Sequence, residues 1–295
     1  MPDAEAAAAL IESPAAIAIV FLLGALFGSF ANVCIYRIPR GLSVVNPPSH
    51  CFHCQTPVRW YDNLPVLGWI LLRGKCRACK APFSIRYALV EALLGGLTVL
   101  LWLQTTWIDF AGEPAPHRIA RFGIYFLFLV LMAVIAFIDL DTKLIPDVLS
   151  LPAIPIFFGL GQLLGDVGIW DRLIGIAVGY GIVRAIADGY WYLTKREGMG
   201  YGDGKLLAVI GALLGWKAVL VALFGGAVLG SVIGVTALVI ARRRSPEAPV
   251  EEGEEPPLRH VELPFGPFIV AAALTYLFLA ERLEIAVADY LRPPV

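Results

Sequence analysis

Eight apolar runs, separated by polar or charged segments, decide what this chain can become. They fall at about 15–36, 87–107, 120–138, 148–165, 172–193, 205–215, 217–241 and 264–281. A helix that crosses a bilayer needs roughly 20 such residues, and most of the runs reach that length. The sixth is short, and its boundary with the seventh lies around Gly215-Trp216-Lys217. Only 16% of the residues are charged, against roughly a quarter in a soluble domain. The pattern predicts an all-α polytopic membrane protein of about eight transmembrane helices, with the lipid bilayer as a partner.

Basic residues set the predicted orientation. The loop after the first run holds Arg37, Arg40, Arg59, Arg73, Lys75, Arg77, Lys80 and Arg86. Two further loops on that side carry Lys195 and Arg196, then Arg242, Arg243 and Arg244, whereas the opposite loops have Arg118, Arg121 and Arg172. The basic side is expected to be cytoplasmic, with both termini on the other side. The net charge of −1 gives no global basic field, so nucleic acid is not an expected partner. The N-terminus is acidic and lacks a basic n-region, so the first apolar run is expected to persist as a membrane helix. The acidic, Pro-rich stretch 245–257 reads as a mobile cytoplasmic linker. No internal repeat is evident.

Segment 37–86 is the one sizeable polar piece, and at about 50 residues it is near the size at which a metal is needed to hold a fold. It contains Cys51-Phe52-His53-Cys54 and Cys76-Arg77-Ala78-Cys79. Two Cys-x-x-Cys pairs bend naturally around one tetrahedral ion, and four thiolates close a structural zinc site with no position left for catalysis. Redox pairs are the alternative reading of the cysteines; His50 and His53 are alternative ligands expected to be bystanders, and Cys34 a packing residue in the first helix.

The stretch Gly198-Met199-Gly200-Tyr201-Gly202-Asp203-Gly204-Lys205 reads as a glycine-rich loop that meets the membrane edge. A carboxylate entering a bilayer is costly and calls for a functional reading with a named partner. For Asp203 that partner is Asp139, in Ile138-Asp139-Leu140-Asp141. Both fall at the cytoplasmic ends of their predicted helices. Two close carboxylates cannot both ionise cheaply, so they share a proton and divide the roles of base and acid. An Asp at a helix end also commonly just faces water. Asp141 and Asp147 sit in the same polar turn, where interface or capping roles are expected, Asp147 as cap of the fourth helix. Asp188, four residues after Arg184, suits a local ion pair. Glu91, near the cytoplasmic end of the second helix, could orient the basic loop and is left unassigned.

Six stretches together resemble the bacterial type IV prepilin peptidases, a bifunctional leader peptidase and N-methyltransferase family. They are FGSFANVCIYRIPRG at 27–41, the paired knuckles with DNLPVLGWILLRGKC between them, SIRYALVE at 84–91, IDLDTKLIPD at 138–147, GMGYGDGKLL at 198–207 and PFGPF at 264–268. The resemblance implies a GxGD-type aspartyl protease of the bacterial cytoplasmic membrane that cuts the basic leader of prepilins or pseudopilins on the cytoplasmic side. It implies Asp203 and Asp139 as catalytic residues, with Asp141 as the fallback, and Cys51, Cys54, Cys76 and Cys79 as zinc ligands. It also implies methylation of the new N-terminal residue with S-adenosylmethionine, in or near 37–86, although no glycine fingerprint for that molecule is visible. Gly204 departs from the family, in which a larger apolar residue commonly follows the aspartate. The expected domains are 1–36, a first transmembrane helix; 37–86, a cytoplasmic zinc-binding domain; and 87–295, a membrane-embedded aspartyl peptidase domain. The competing readings are a transporter with intramembrane acids and a non-enzymatic membrane scaffold with a zinc loop.

Overall fold

The computed structural model describes residues 13–105, 114–195, 200–244 and 263–291, so the expected linker at 245–257 lies outside the described residues. Among the described residues, eight α-helices follow in order: α1 Pro14–Arg37, α2 Leu67–Leu72, α3 Arg86–Leu103, α4 Ala115–Thr142, α5 Asp147–Leu164, α6 Ile169–Thr194, α7 Tyr201–Arg244 and α8 Gly266–Leu291. Among the described residues, β-structure is limited to two isolated bridges, His50 to Pro57 and Lys75 to Pro82. All but α2 and α8 are long and apolar enough to cross a membrane, and α8 is apolar from Gly266 to Leu279. Helix α7 is broken at Gly215, whose φ of 80° and ψ of −179° are not helical. With α7 counted as two segments and the short α2 set aside, the helices match the eight apolar runs, and the break falls where the sequence placed a boundary.

The chain forms two compact units, one up to Val134 and one from Ile135. In the first, α1 starts where Ser13 Oγ accepts the Ala16 N–H at 3.1 Å and Pro14 takes the first helical turn. It packs on α3 through Gly24 and Gly28. A Cβ on Gly24 would stand 2.7 Å from the Leu94 carbonyl oxygen, and one on Gly28 would stand 2.7 Å from Glu91 Cα. This is the small-xxx-small contact by which membrane helices gain dispersion energy where no hydrophobic effect drives them together.

The second unit repeats the device. Gly175 and Gly179 of α6 meet Gly211 and Leu207 of α7 so closely that a Cβ on Gly211 would stand 2.4 Å from the Gly175 carbonyl carbon. Leu206 to Ile210 are all essentially inaccessible. The first part of α7 is therefore enclosed by protein on every side, and its shortness relative to a bilayer is tolerated.

The break at Gly215 strips the preceding carbonyls of their helical donors. Arg172, fully buried on α6, meets that need. Its guanidinium donates to the carbonyls of Leu213, Ala212 (3.4 Å), Gly161 (2.8 Å) and Val167 (3.2 Å), and to Asp166 Oδ1 at 2.9 Å. Arg121 is also buried, 2% exposed. Two of the three basic residues expected in loops opposite the basic side are thus interior residues, which sharpens the charge asymmetry used for orientation.

Arg172→Met leaves the carbonyls of the broken helix and Asp166 without their donor. It is expected to cost about 3–5 kcal/mol, read as a lowered thermal unfolding midpoint in detergent. Arg172→Lys is expected to recover little, because an ammonium cannot reproduce the fork.

Candidate active site and metal centre

Helix α4 ends because Lys143 adopts φ 55° and donates to the Asp139 carbonyl at 2.8 Å, with Pro146 following. Asp139 therefore lies in the last turn of α4, buried to 5% exposure, while Asp141 is exposed. Asp203 lies in the first turn of α7 and is half-buried. The two carboxylates are near enough for the charge on Asp139 to act on Asp203. Of the carboxylates in the turn, the structure thus brings Asp139 to Asp203 as a buried partner.

The stretch read as a glycine loop is helical from Tyr201 onward, which corrects that expectation for Gly202 and Gly204. Gly198 and Met199 lie outside the described residues. The two helical glycines serve close packing. A Cβ on Gly202 would stand 3.1 Å from Ile145 Cβ, and one on Gly204 would stand 3.2 Å from Val183 Cβ and 3.3 Å from the Tyr180 carbonyl oxygen. Gly204 is buried against α6, so a larger residue there would require α6 to give way.

Two side-chain networks hold this end of α7. Lys205 pairs with Asp147, joining the first turn of α7 to the start of α5. Asp147 does not cap its helix: Pro146 is the N-cap and no side chain bonds there. Arg184 and Asp188 form the expected ion pair at 2.8 Å, and the Tyr201 hydroxyl donates to the same carboxylate at 3.0 Å. A third contact went unassigned in the sequence. The Gly266 N–H donates to Asp139 Oδ2 at 2.9 Å in a buried setting. The pattern Phe-Gly-Pro was its available signal, since Pro just inside a helix start marks an N-terminus whose free N–H groups need acceptors.

The polar segment folds around two matching knuckles, the second shifted 25 residues from the first, as Cys51 corresponds to Cys76 and Cys54 to Cys79. In each, the first Cys N–H bonds a carbonyl five residues on, to Thr56 in one and Ala81 in the other. In each, the residue after the second Cys turns through positive φ, Gln55 at 57° and Lys80 at 62°. The four sulfurs lie within 4.8 Å of one another. Sγ atoms are 3.8 Å apart for Cys51 and Cys79, and 3.9 Å apart for Cys54 and Cys76. A tetrahedron with zinc–sulfur bonds of about 2.3 Å has an edge of about 3.8 Å, so the spacing fits such an ion. His50 and His53 stand outside the cluster.

Local hydrogen bonds favour the metal-binding thiolates. The Thr56 hydroxyl and N–H hold the Cys54 thiol down to about 6, and the N–H groups of Cys79 and Ala78 lower that of Cys76. At Cys79 the Ala81 N–H acts the same way, but desolvation and the neighbouring sulfurs outweigh it and push the thiol up to about 11. Arg77, inside the second knuckle, binds Asp62 through two bonds of 2.8 and 2.5 Å and holds its carboxyl below the usual range. The Trp69 indole donates to the Phe83 carbonyl at 3.3 Å and closes the segment from within. Glu91 of α3 accepts the Val66 N–H at 2.7 Å, which fixes a residue held at φ 62° and ties the segment to a membrane helix.

Cobalt(II) added to metal-stripped protein is expected to give thiolate-to-metal absorption that saturates at one ion per chain. Protons compete for the sulfurs, so the affinity should fall as pH is lowered. Cys76→Ser should weaken the band at every pH.

Comparison with known proteins agrees with this geometry. Residues 22–105 match the Bacterial Peptidase A24 N-terminal domain, and residues 126–235 match the Type IV leader peptidase family. A prepilin leader peptidase/N-methyltransferase of Aeromonas hydrophila is 33% identical over 293 residues, covering 90% of this chain and 91% of the relative. One from Myxococcus xanthus is 35% identical over 243 residues, covering 81% of this chain and 69% of the relative. One from Klebsiella pneumoniae is 36% identical over 208 residues, covering 68% and 85%. No solved structure matches. With both family regions matched and the similarity extending along nearly the whole length of a relative, the chain belongs to the type IV prepilin leader peptidase family.

Proposed function

We propose that this protein is a membrane-embedded aspartic endopeptidase that removes the basic leader of prepilins or pseudopilins and N-methylates the new N-terminal residue. The observation that carries the peptidase reading is the pairing of buried Asp139 with Asp203 at facing helix ends, within electrostatic reach. A pair of carboxylates sharing one proton supplies a base for water and an acid for the scissile carbonyl, with no covalent intermediate. The substrate's hydrophobic helix would lie among the enzyme's helices, with the scissile bond at the membrane interface. The basic loops support a bacterial inner-membrane protein with this site and the knuckles on the cytoplasmic side.

The domains are assigned as 1–36, a first transmembrane helix; 37–86, a zinc-binding domain associated with methyl transfer; and 87–295, the peptidase domain. Cys51, Cys54, Cys76 and Cys79 would hold a zinc ion, which stabilises the segment as a four-thiolate crosslink. Methylation rests on family membership. The described residues contain no parallel sheet of the dinucleotide-binding kind, so no residue is assigned to S-adenosylmethionine.

A transporter reading would need helix breaks whose freed carbonyls are open to an ion. At Gly215 those carbonyls accept from Arg172, which argues against it. A scaffold reading requires that both aspartates be dispensable.

Cleavage of a purified prepilin by membranes at matched expression separates these readings. Asp139→Asn and Asp203→Asn are expected to lose at least about a thousandfold in rate, and Asp141→Asn to cut as wild type. Full activity in all three variants would end the peptidase reading. Loss confined to Asp141→Asn and Asp203→Asn would move the dyad by two residues.

A further inference from the structure

The start of α8 aims one particular N–H at the carboxylate pair. The first turn of a helix has free donors. Here Pro267 has none, and the N–H groups of Phe268 and Ile269 go to the Phe265 carbonyl at 3.1 and 3.2 Å. That leaves Gly266, whose N–H goes to Asp139 Oδ2 at 2.9 Å. The approach is close enough to exclude any side chain. A Cβ on Gly266 would stand 2.7 Å from Oδ2 and 3.1 Å from Cγ of Asp139. Helix α8 is held at this depth by the second part of α7, where a Cβ on Gly226 would stand 3.1 Å from the Ile269 nitrogen and one on Gly230 would stand 3.0 Å from the Phe268 ring.

The contact treats the two carboxylates unequally. Asp139 lies at the negative end of α4, a poor place for an anion, and the N–H at the positive end of α8 offsets this. Among the described residues, the Asp203 carboxylate accepts no hydrogen bond. An N–H donates about twice as strongly to a carboxylate oxygen as to the carbonyl of a carboxylic acid, so this bond favours Asp139 as the member that keeps its charge.

We propose that Gly266 is a positioning residue that holds Asp139 as the ionised, water-activating member of the pair and leaves the shared proton on Asp203. This rests on the aspartyl peptidase reading. Asp139 takes a proton from water as the water oxygen bonds to the scissile carbonyl carbon, and Asp203 gives its proton to the carbonyl oxygen. On collapse the C–N bond breaks, Asp139 returns its proton to the leaving nitrogen, and Asp203 takes one back from the gem-diol. Both groups end as they began.

The test compares prepilin cleavage by the full-length protein carrying Gly266→Ala, and by a second variant with glycolic acid at 266, which replaces only the N–H by an ester oxygen. Both are expected to lower kcat by about tenfold to a hundredfold with KM unchanged. The ester variant separates loss of the donor from any misfolding caused by a Cβ. Infrared difference spectra at neutral pH read the proton directly. Wild type minus Asp203→Asn should show the carbonyl band of a protonated carboxylic acid, and wild type minus Asp139→Asn should show carboxylate bands. Exchanged bands, or an ester variant with wild-type kcat, would overturn the inference. Asp139→Asn and Asp203→Asn assayed alongside distinguish the two layers: if both cut normally the peptidase reading itself has failed, and if both are dead while the ester variant is normal only the role of Gly266 has.

Discussion

Inside a bilayer a polar group has no water to turn to, and among the described residues several that leave the regular helical pattern are met by a group placed for them. The carbonyls exposed by the break at Gly215 are met by the guanidinium of Arg172. The N–H left over at the start of α8 is met by Asp139. Outside the membrane helices, the strained turn at Val66 is met in the same way by Glu91. The fold depends on these three pairings, because an unpaired group in any of these places would cost as much as several favourable contacts provide.

Close approach of helices makes the pairings possible. Arg172 reaches four carbonyls because Gly161 leaves room for the guanidinium, with a Cβ there falling 1.8 Å from Nη1. Gly175, Gly179 and Gly211 bring α6 against α7, and Gly202 and Gly204 let the first turn of α7 settle beside Ile145 and α6. The glycines around Asp203 thus act through lost volume; the one glycine of α7 that uses its conformational freedom is Gly215, at φ 80°.

The knuckle segment solves a different problem. It is too small to bury an adequate core, and its two matching halves bring four sulfurs to a spacing able to hold an ion, with Asp62, Trp69 and Glu91 fastening the chain between and beside them. The same hydrogen bonds that shape the knuckles stabilise the sulfur charges that a cation needs.

Much of this was legible in the sequence. Apolar run length determined the helical spans, since a bilayer's thickness acts on each run independently of its neighbours. The paired Cys-x-x-Cys spacing determined the sulfur cluster, and the i, i+4 spacing of Arg184 and Asp188 determined their ion pair, because both are local geometry. What lay beyond it was non-local. No periodicity indicates that Arg172 is an interior residue, that Asp147 answers Lys205 rather than its own helix, or that Gly266 meets Asp139 across 127 positions of chain. Those contacts exist only once separate helices are packed. Tertiary structure alone decided which of two neighbouring aspartates, Asp139 or Asp141, is buried, because one residue's shift along a helix turns a side chain by about 100° and two turn it to the opposite side.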